Sequence, residues 1–90
     1  MKIEITHARN PLMEWDIGVK AIVENDEKIT YVEVRINDFA DVDETEDDPV
    51  DSWEKQLLQK GVFPGDNTVL VLVRDQNGKQ SIAKQEWSSD

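Results

Sequence analysis

The 90-residue chain contains no cysteine. No disulfide can close it, and no thiolate is present to bind a metal or attack a substrate. Its stability must therefore come from an apolar core, and a domain this short has a thin margin. Long hydrophobic runs are also missing. The longest purely apolar stretch, Val69 to Val73, is far below the roughly 20 residues a spanning helix needs, which excludes membrane insertion by a helix. The N-terminal residues Met1-Lys2-Ile3-Glu4-Ile5-Thr6 lack the apolar stretch of a signal peptide. The chain is expected either to stay in the cytoplasm or to be a domain cut from a larger exported chain with neighbouring domains.

Histidine is nearly absent as well, and His7 is the only one. A nucleophile–base–orienter set would have to draw on it and on Ser52, Ser81, Ser88 or Ser89, and no recognisable motif surrounds any of them. His7 reads as an ordinary surface histidine beside the first strand. There is no glycine-rich phosphate loop, no zinc-ligand spacing and no internal repeat. The expectation is a protein that is not an enzyme.

Positive charge is scarce: 10 basic residues face 20 acidic ones, a net of −10. A surface of this sign repels a phosphate backbone and an anionic membrane, so direct nucleic-acid binding is not expected. It favours solubility and partners that are cationic or neutral. The acidity is local. Asp38, Asp41, Asp43, Glu44, Glu46, Asp47, Asp48 and Asp51 carry −8 with no base among them, and the other 12 acids and 10 bases leave only −2.

What is present is alternation. Ile3 and Ile5 mark a short first strand, ended by Asn10-Pro11. Ile17, Val19, Ala21 and Val23 alternate in a second strand. A polar turn, Glu24 to Lys28, leads into Ile29–Ile36, and these two strands read as an antiparallel pair. In the latter, Val32, Val34 and Ile36 share one face and Tyr31, Glu33 and Arg35 the other. Residues 38–51 show no periodicity, and crowded like charges predict an extended, solvated acidic loop closed by Pro49. Residues 51–61 are ambiguous. An Asp51 or Ser52 cap, a Trp53/Leu57 pair and a terminal Gly61 suit a helix, whereas Trp53 and Leu57 also share one side of a strand. Pro64-Gly65-Asp66-Asn67 reads as a tight turn before the strongest strand, Thr68 to Arg74. Asn77-Gly78 predicts a type I′ hairpin into a last strand, Ser81 to Trp87, with residues 88–90 a disordered tail. Turns about every eight to twelve residues argue for a single all-β sandwich domain over residues 1–90.

The series Trp53, Leu57, Gly61, Pro64-Gly65-x-Asn67-Thr68-Val69-x-Val71-x-Val73-x-Asp75-x-x-Gly78 resembles the closing half of bacterial immunoglobulin-like and fibronectin-type-III-like domains. The opening Ile-x-Ile and the two strands that follow fit the same pattern. The resemblance implies an immunoglobulin-like antiparallel β-sandwich of about seven short strands, with Trp53 to Leu57 a strand and not a helix. With that strand assignment, the alternation predicts a core of Val19, Val23, Val32, Val34, Ile36, Trp53, Leu57, Val69, Val71 and Val73. Such domains serve as adhesin repeats, spacers, accessory modules on carbohydrate enzymes and decorations on phage structural proteins. The expected role is thus a non-catalytic interaction or structural module that contacts protein or glycan, within a larger surface or phage assembly.

Three further features point to binding chemistry. Asp41-x-Asp43-x-Thr45-x-Asp47-Asp48 offers hard oxygen ligands at alternating positions, as calcium loops do, although the central glycine and terminal glutamate of an EF-hand are missing. The alternative is a solvated loop with no cofactor, and a further alternative is mimicry of DNA against a basic groove, which needs the carboxylates on a rigid surface. If Val69, Val71 and Val73 face the core, Leu70 and Leu72 must face out, flanked by Tyr31 and Arg35 on the neighbouring strand. Burying both leucines in a partner is worth about 3–5 kcal/mol gross. Arg35 or the acidic segment folding over them would cover the same face. Trp53 is assigned to the core, whereas Trp15 and Trp87 suit either core or an aromatic platform for sugar rings.

Overall fold

The computed structural model describes residues 1–9, 15–24, 27–58 and 65–89. It is all-β: β1 (Lys2–Arg9), β2 (Trp15–Ile22), β3 (Ile29–Ile36), β4 (Phe39–Val50), β5 (Ser52–Leu58), β6 (Gly65–Asp75) and β7 (Gln80–Ser89), with no helix among the described residues. The strands form two antiparallel sheets, a three-stranded one in the order β1-β2-β5 and a four-stranded one in the order β4-β3-β6-β7.

Alternation explains how the sheets meet. Ile17, Val19, Ala21, Trp53 and Leu57 from one sheet, and Ile29, Val32, Val34, Ile36, Val42, Val69, Val71, Val73 and Trp87 from the other, form one buried cluster. Each fully buried valine removes a branched side chain from water, worth about 1.5–3 kcal/mol. The predicted core residues lie in this cluster, except that Val23 is only partly buried against it. Residues 51–58 take the strand alternative, because Trp53 and Leu57 then both enter the core from β5. Residues 59–64, with Gly61 and Pro64, and the Asn10-Pro11 break lie outside the described residues.

Several expectations are corrected. β2 and β3 are not paired. β2 lies between β1 and β5, and β3 lies between β4 and β6 in the other sheet. The two strands lie in opposite sheets, and both flanks of β3 are hydrogen-bonded, to β4 and to β6. The acidic segment 38–51 is not a loop. It forms β4, an edge strand held by the pairs Ile36↔Phe39, Val34↔Val42 and Ile29↔Val50. An edge position leaves Asp43, Asp47 and Asp48 in water. Extension alternates the side chains and separates like-facing neighbours by about 7 Å, where repulsion between charges in water is weak enough for the ladder to hold.

The turns also exchange roles. Asn37 and Asp38, with φ of 51° and 69°, form the two-residue type I′ turn between β3 and β4. At Asn77-Gly78 only Gly78 has a positive φ, 83°. Gly78 donates its amide to the Asp75 carbonyl and Asp75 donates to the Lys79 carbonyl, which is a type I turn followed by a glycine bulge. Gly65 to Asn67 open β6 instead of forming a turn, and Ser88 and Ser89 complete β7 instead of fraying. Asp90 lies outside the described residues.

Candidate functional site

Alternation along β3, β6 and β7 builds one outer face on the four-stranded sheet. Pairing places Arg35 opposite Leu70, Glu33 opposite Leu72 and Tyr31 opposite Arg74. On the far flank Leu70 meets Lys84 and Leu72 meets Ile82. The predicted set of Tyr31, Arg35, Leu70 and Leu72 is thus brought together on adjacent strands. Glu33, Arg35, Leu70 and Leu72 line a small groove of about 90 Å³. An open trough of about 440 Å³, lined by Asn37, Asp38, Asp66, Thr68, Leu70 and Lys84, continues from Leu70 toward the β3–β4 turn.

Polar contacts fix the rim. Glu33 accepts from both Tyr31 Oη, at 3.2 Å, and Arg35 Nε. The Arg74 guanidinium lies 5.1 Å from the centre of the Tyr31 ring, within cation–π range. Hydrogen bonding to the Asp43 carboxylate, then burial and the charges of Asp43 and Glu33, push the Tyr31 hydroxyl up to about 12. Tyr31 is therefore a neutral donor throughout the physiological range. Arg35 is drawn toward Glu33 and the Asp38 carbonyl, 3.5 Å away, and β4 is separated from β6 by β3. The acidic segment does not cover the leucines.

Sequence reasoning missed Ile82, which is 61% exposed and extends the apolar strip onto β7. Its signal was available: counting back in twos from the buried Trp87 puts Ile82 on the outer face. Phe39, at the head of β4, is the other large exposed hydrophobic side chain among the described residues, 59% exposed.

The candidate calcium ligands are not gathered into a cage. Asp43, Asp47 and Asp48 are exposed along β4, and Asp41 is half-buried at the irregularity opposite Val34 and Arg35. No group of three or more acidic or histidine side chains positioned to hold a metal exists among the described residues. Glu44 points inward instead. It accepts from Trp53 Nε1 at 3.0 Å and from Lys55 Nζ at 2.9 Å, joining the β4 edge of one sheet to the β5 edge of the other. The Lys55 bond, then the Trp53 bond, hold the Glu44 carboxyl below its ordinary value of 4.5 against the effect of burial.

His7 is not an isolated surface residue. It lies within β1 and stacks on Trp87 with ring centres 4.8 Å apart, and Trp15 lies 5.7 Å from it. Trp87 is buried, so it belongs to the core, and the half-buried Trp15 packs against it. At the opposite end, burial acts to raise the buried Asp75 carboxyl. Amide bonds from Lys79 and Asn77, with Glu27, outweigh that and hold it below 3.8. The carboxylate thereby fastens the β6–β7 turn. Comparison with protein families, with curated proteins and with solved structures found no match.

Proposed function

We propose that this chain is a non-catalytic interaction module with an immunoglobulin-like sandwich, docking a protein partner on the outer face of β3, β6 and β7. The strand order supports the fold reading. β3, β6 and β7 lie together with β4 beside β3, as C, F, G and C′ do in variable-type domains, and β1, β2 and β5 form the opposing sheet. The observation that carries the function is the apolar strip of the half-buried Leu70 and Leu72 and the exposed Ile82, framed by Tyr31, Arg35 and Lys84. Apolar side chains ringed by polar and aromatic groups on a rigid sheet make the anatomy of a binding patch. Leu70 and Leu72 are already half-buried, so covering the rest of each in a partner contributes only part of the about 1.5–3 kcal/mol of full burial.

The test is capture with matched baits. Wild-type domain is compared with a Leu70→Ser/Leu72→Ser double variant, both checked for unchanged melting. A partner retained by the wild type and lost by the double variant supports the reading. Equal retention by both refutes it.

A second reading is favoured by one observation. The carboxylates of residues 41–48 stand on the hydrogen-bonded strand β4, the rigid surface that mimicry of a nucleic-acid backbone requires. Competition with duplex DNA for a basic groove, weakening steeply with salt, supports it. Binding that is insensitive to salt excludes it.

A further inference from the structure

The sheets end in edge strands, and they are not equally protected. β4 carries six carboxylates, Pro49 and register irregularities opposite β3. β5 turns Lys55 inward toward Glu44. Charges, proline, bulges and inward-pointing lysine are the devices that keep sheet edges from pairing with other chains. β7 has no proline, bulge or inward-pointing lysine, and its charges cancel. It contains no proline and pairs with β6 without a register shift from Gly65↔Ser89 to Arg74↔Gln80. Its inward positions, Ser81, Ala83, Gln85 and Trp87, carry no charge. Its single lysine, Lys84, is matched by Glu86 on the same face, 2.9 Å away. Among the described residues β7 pairs with β6 alone.

The ladder shows which backbone groups are free. Asp75 donates to the Lys79 carbonyl, and antiparallel bonding alternates from there. Ser81, Ala83, Gln85 and Trp87 therefore bond to β6. The amides and carbonyls of Ile82, Lys84, Glu86 and Ser88 point away from β6; β1 approaches β7 at Trp87, where His7 stacks, without pairing to it.

We propose that β7 is a self-association edge, pairing antiparallel with β7 of a second copy about a two-fold axis at Gln85. In this register Lys84 of each chain lies opposite Glu86 of the other, and Ile82 lies opposite Ser88. The Lys84–Glu86 pair of each copy then meets its complement, giving a checkerboard of charge. Registers centred on Lys84 or Glu86 instead bring like charges together, which is unfavourable. The two four-stranded sheets become one, with both leucine strips on the same side.

The overall charge of −10 does not prevent this pairing. β4 is the far edge of the same sheet, so the two acidic strands would stand about 34 Å apart at a spacing of about 4.8 Å per strand, beyond the Debye length of about 8 Å. The residues outside 38–51 carry only −2. This edge shares Ile82 and Lys84 with the outer face, but it pairs through its backbone, and the dimer does not depend on a partner docking there.

The experiment is sedimentation equilibrium of the full chain up to about 1 mM, with amide exchange across the same range. A reversible dimer is expected, with Ile82, Lys84 and Glu86 amides gaining protection as concentration rises. Lys84→Glu or Glu86→Lys alone is expected to weaken the dimer about tenfold. Mixing the two variants, or combining them in one chain, restores it, and the restored dimer shows that the single variants fold. A monomer at every concentration overturns the proposal. So does a dimer indifferent to these variants or one that leaves the β7 amides unprotected.

Discussion

Replacing Glu44 tests whether the two sheets are latched at their edges. Its carboxylate receives the Trp53 indole at 3.0 Å and the Lys55 ammonium at 2.9 Å, and Trp53 is only 8% exposed. Glu44→Ala leaves a buried N–H without its acceptor, and a hydrogen bond to a charged group is worth about 1.5–3 kcal/mol. The Lys55 pair is partly exposed and screened, and adds about 0.5 kcal/mol. The expected loss is about 2–3 kcal/mol, or about 10–15 °C in Tm for a domain of this size. Glu44→Gln keeps an oxygen for the indole and loses only the charge, so it should cost about 1 kcal/mol. Urea unfolding followed by tryptophan fluorescence at neutral pH measures all three proteins. The pH dependence has a fixed sign. Because Lys55 and Trp53 hold the folded carboxyl below 4.5, the charge contributes stability above that pH and loses it as pH falls through the folded value. The gap between wild type and Glu44→Gln should therefore close in acid. A Glu44→Ala protein as stable as wild type, or a gap that widens below pH 4.5, would refute the latch.

Other substitutions probe separate parts of the fold. Val71→Ala, at a fully buried site on β6, should cost about 2–3 kcal/mol in the same urea assay. Gly78→Ala, at φ 83° in the β6–β7 turn, has free space around its new methyl group, so it should lose only about 1 kcal/mol through backbone strain. His7→Ala should cost about 0.5–1.5 kcal/mol through the lost stack on Trp87, with a change in tryptophan emission. Unchanged emission would show that the ring contact does not persist in solution.

The alternation of branched residues determined most of the secondary structure. Ile17 to Ala21, Val32 to Ile36 and Val69 to Val73 each present one apolar face, and a strand with such a face has to bury it. The outward position of Leu70 and Leu72 follows from that same two-residue period. Which strands become neighbours was decided only by the tertiary structure. A polar turn such as Glu24 to Lys28 specifies a reversal and not whether the next strand lies alongside or across the core. The acidic segment shows the limit most clearly. Its composition reads as a repelled loop, but the β3 edge supplies backbone partners and Trp53 and Lys55 supply donors for Glu44. β3 is joined to this segment by a two-residue turn, and Trp53 and Lys55 lie 9 and 11 residues beyond Glu44, yet these hydrogen bonds become available only once the sheets have formed.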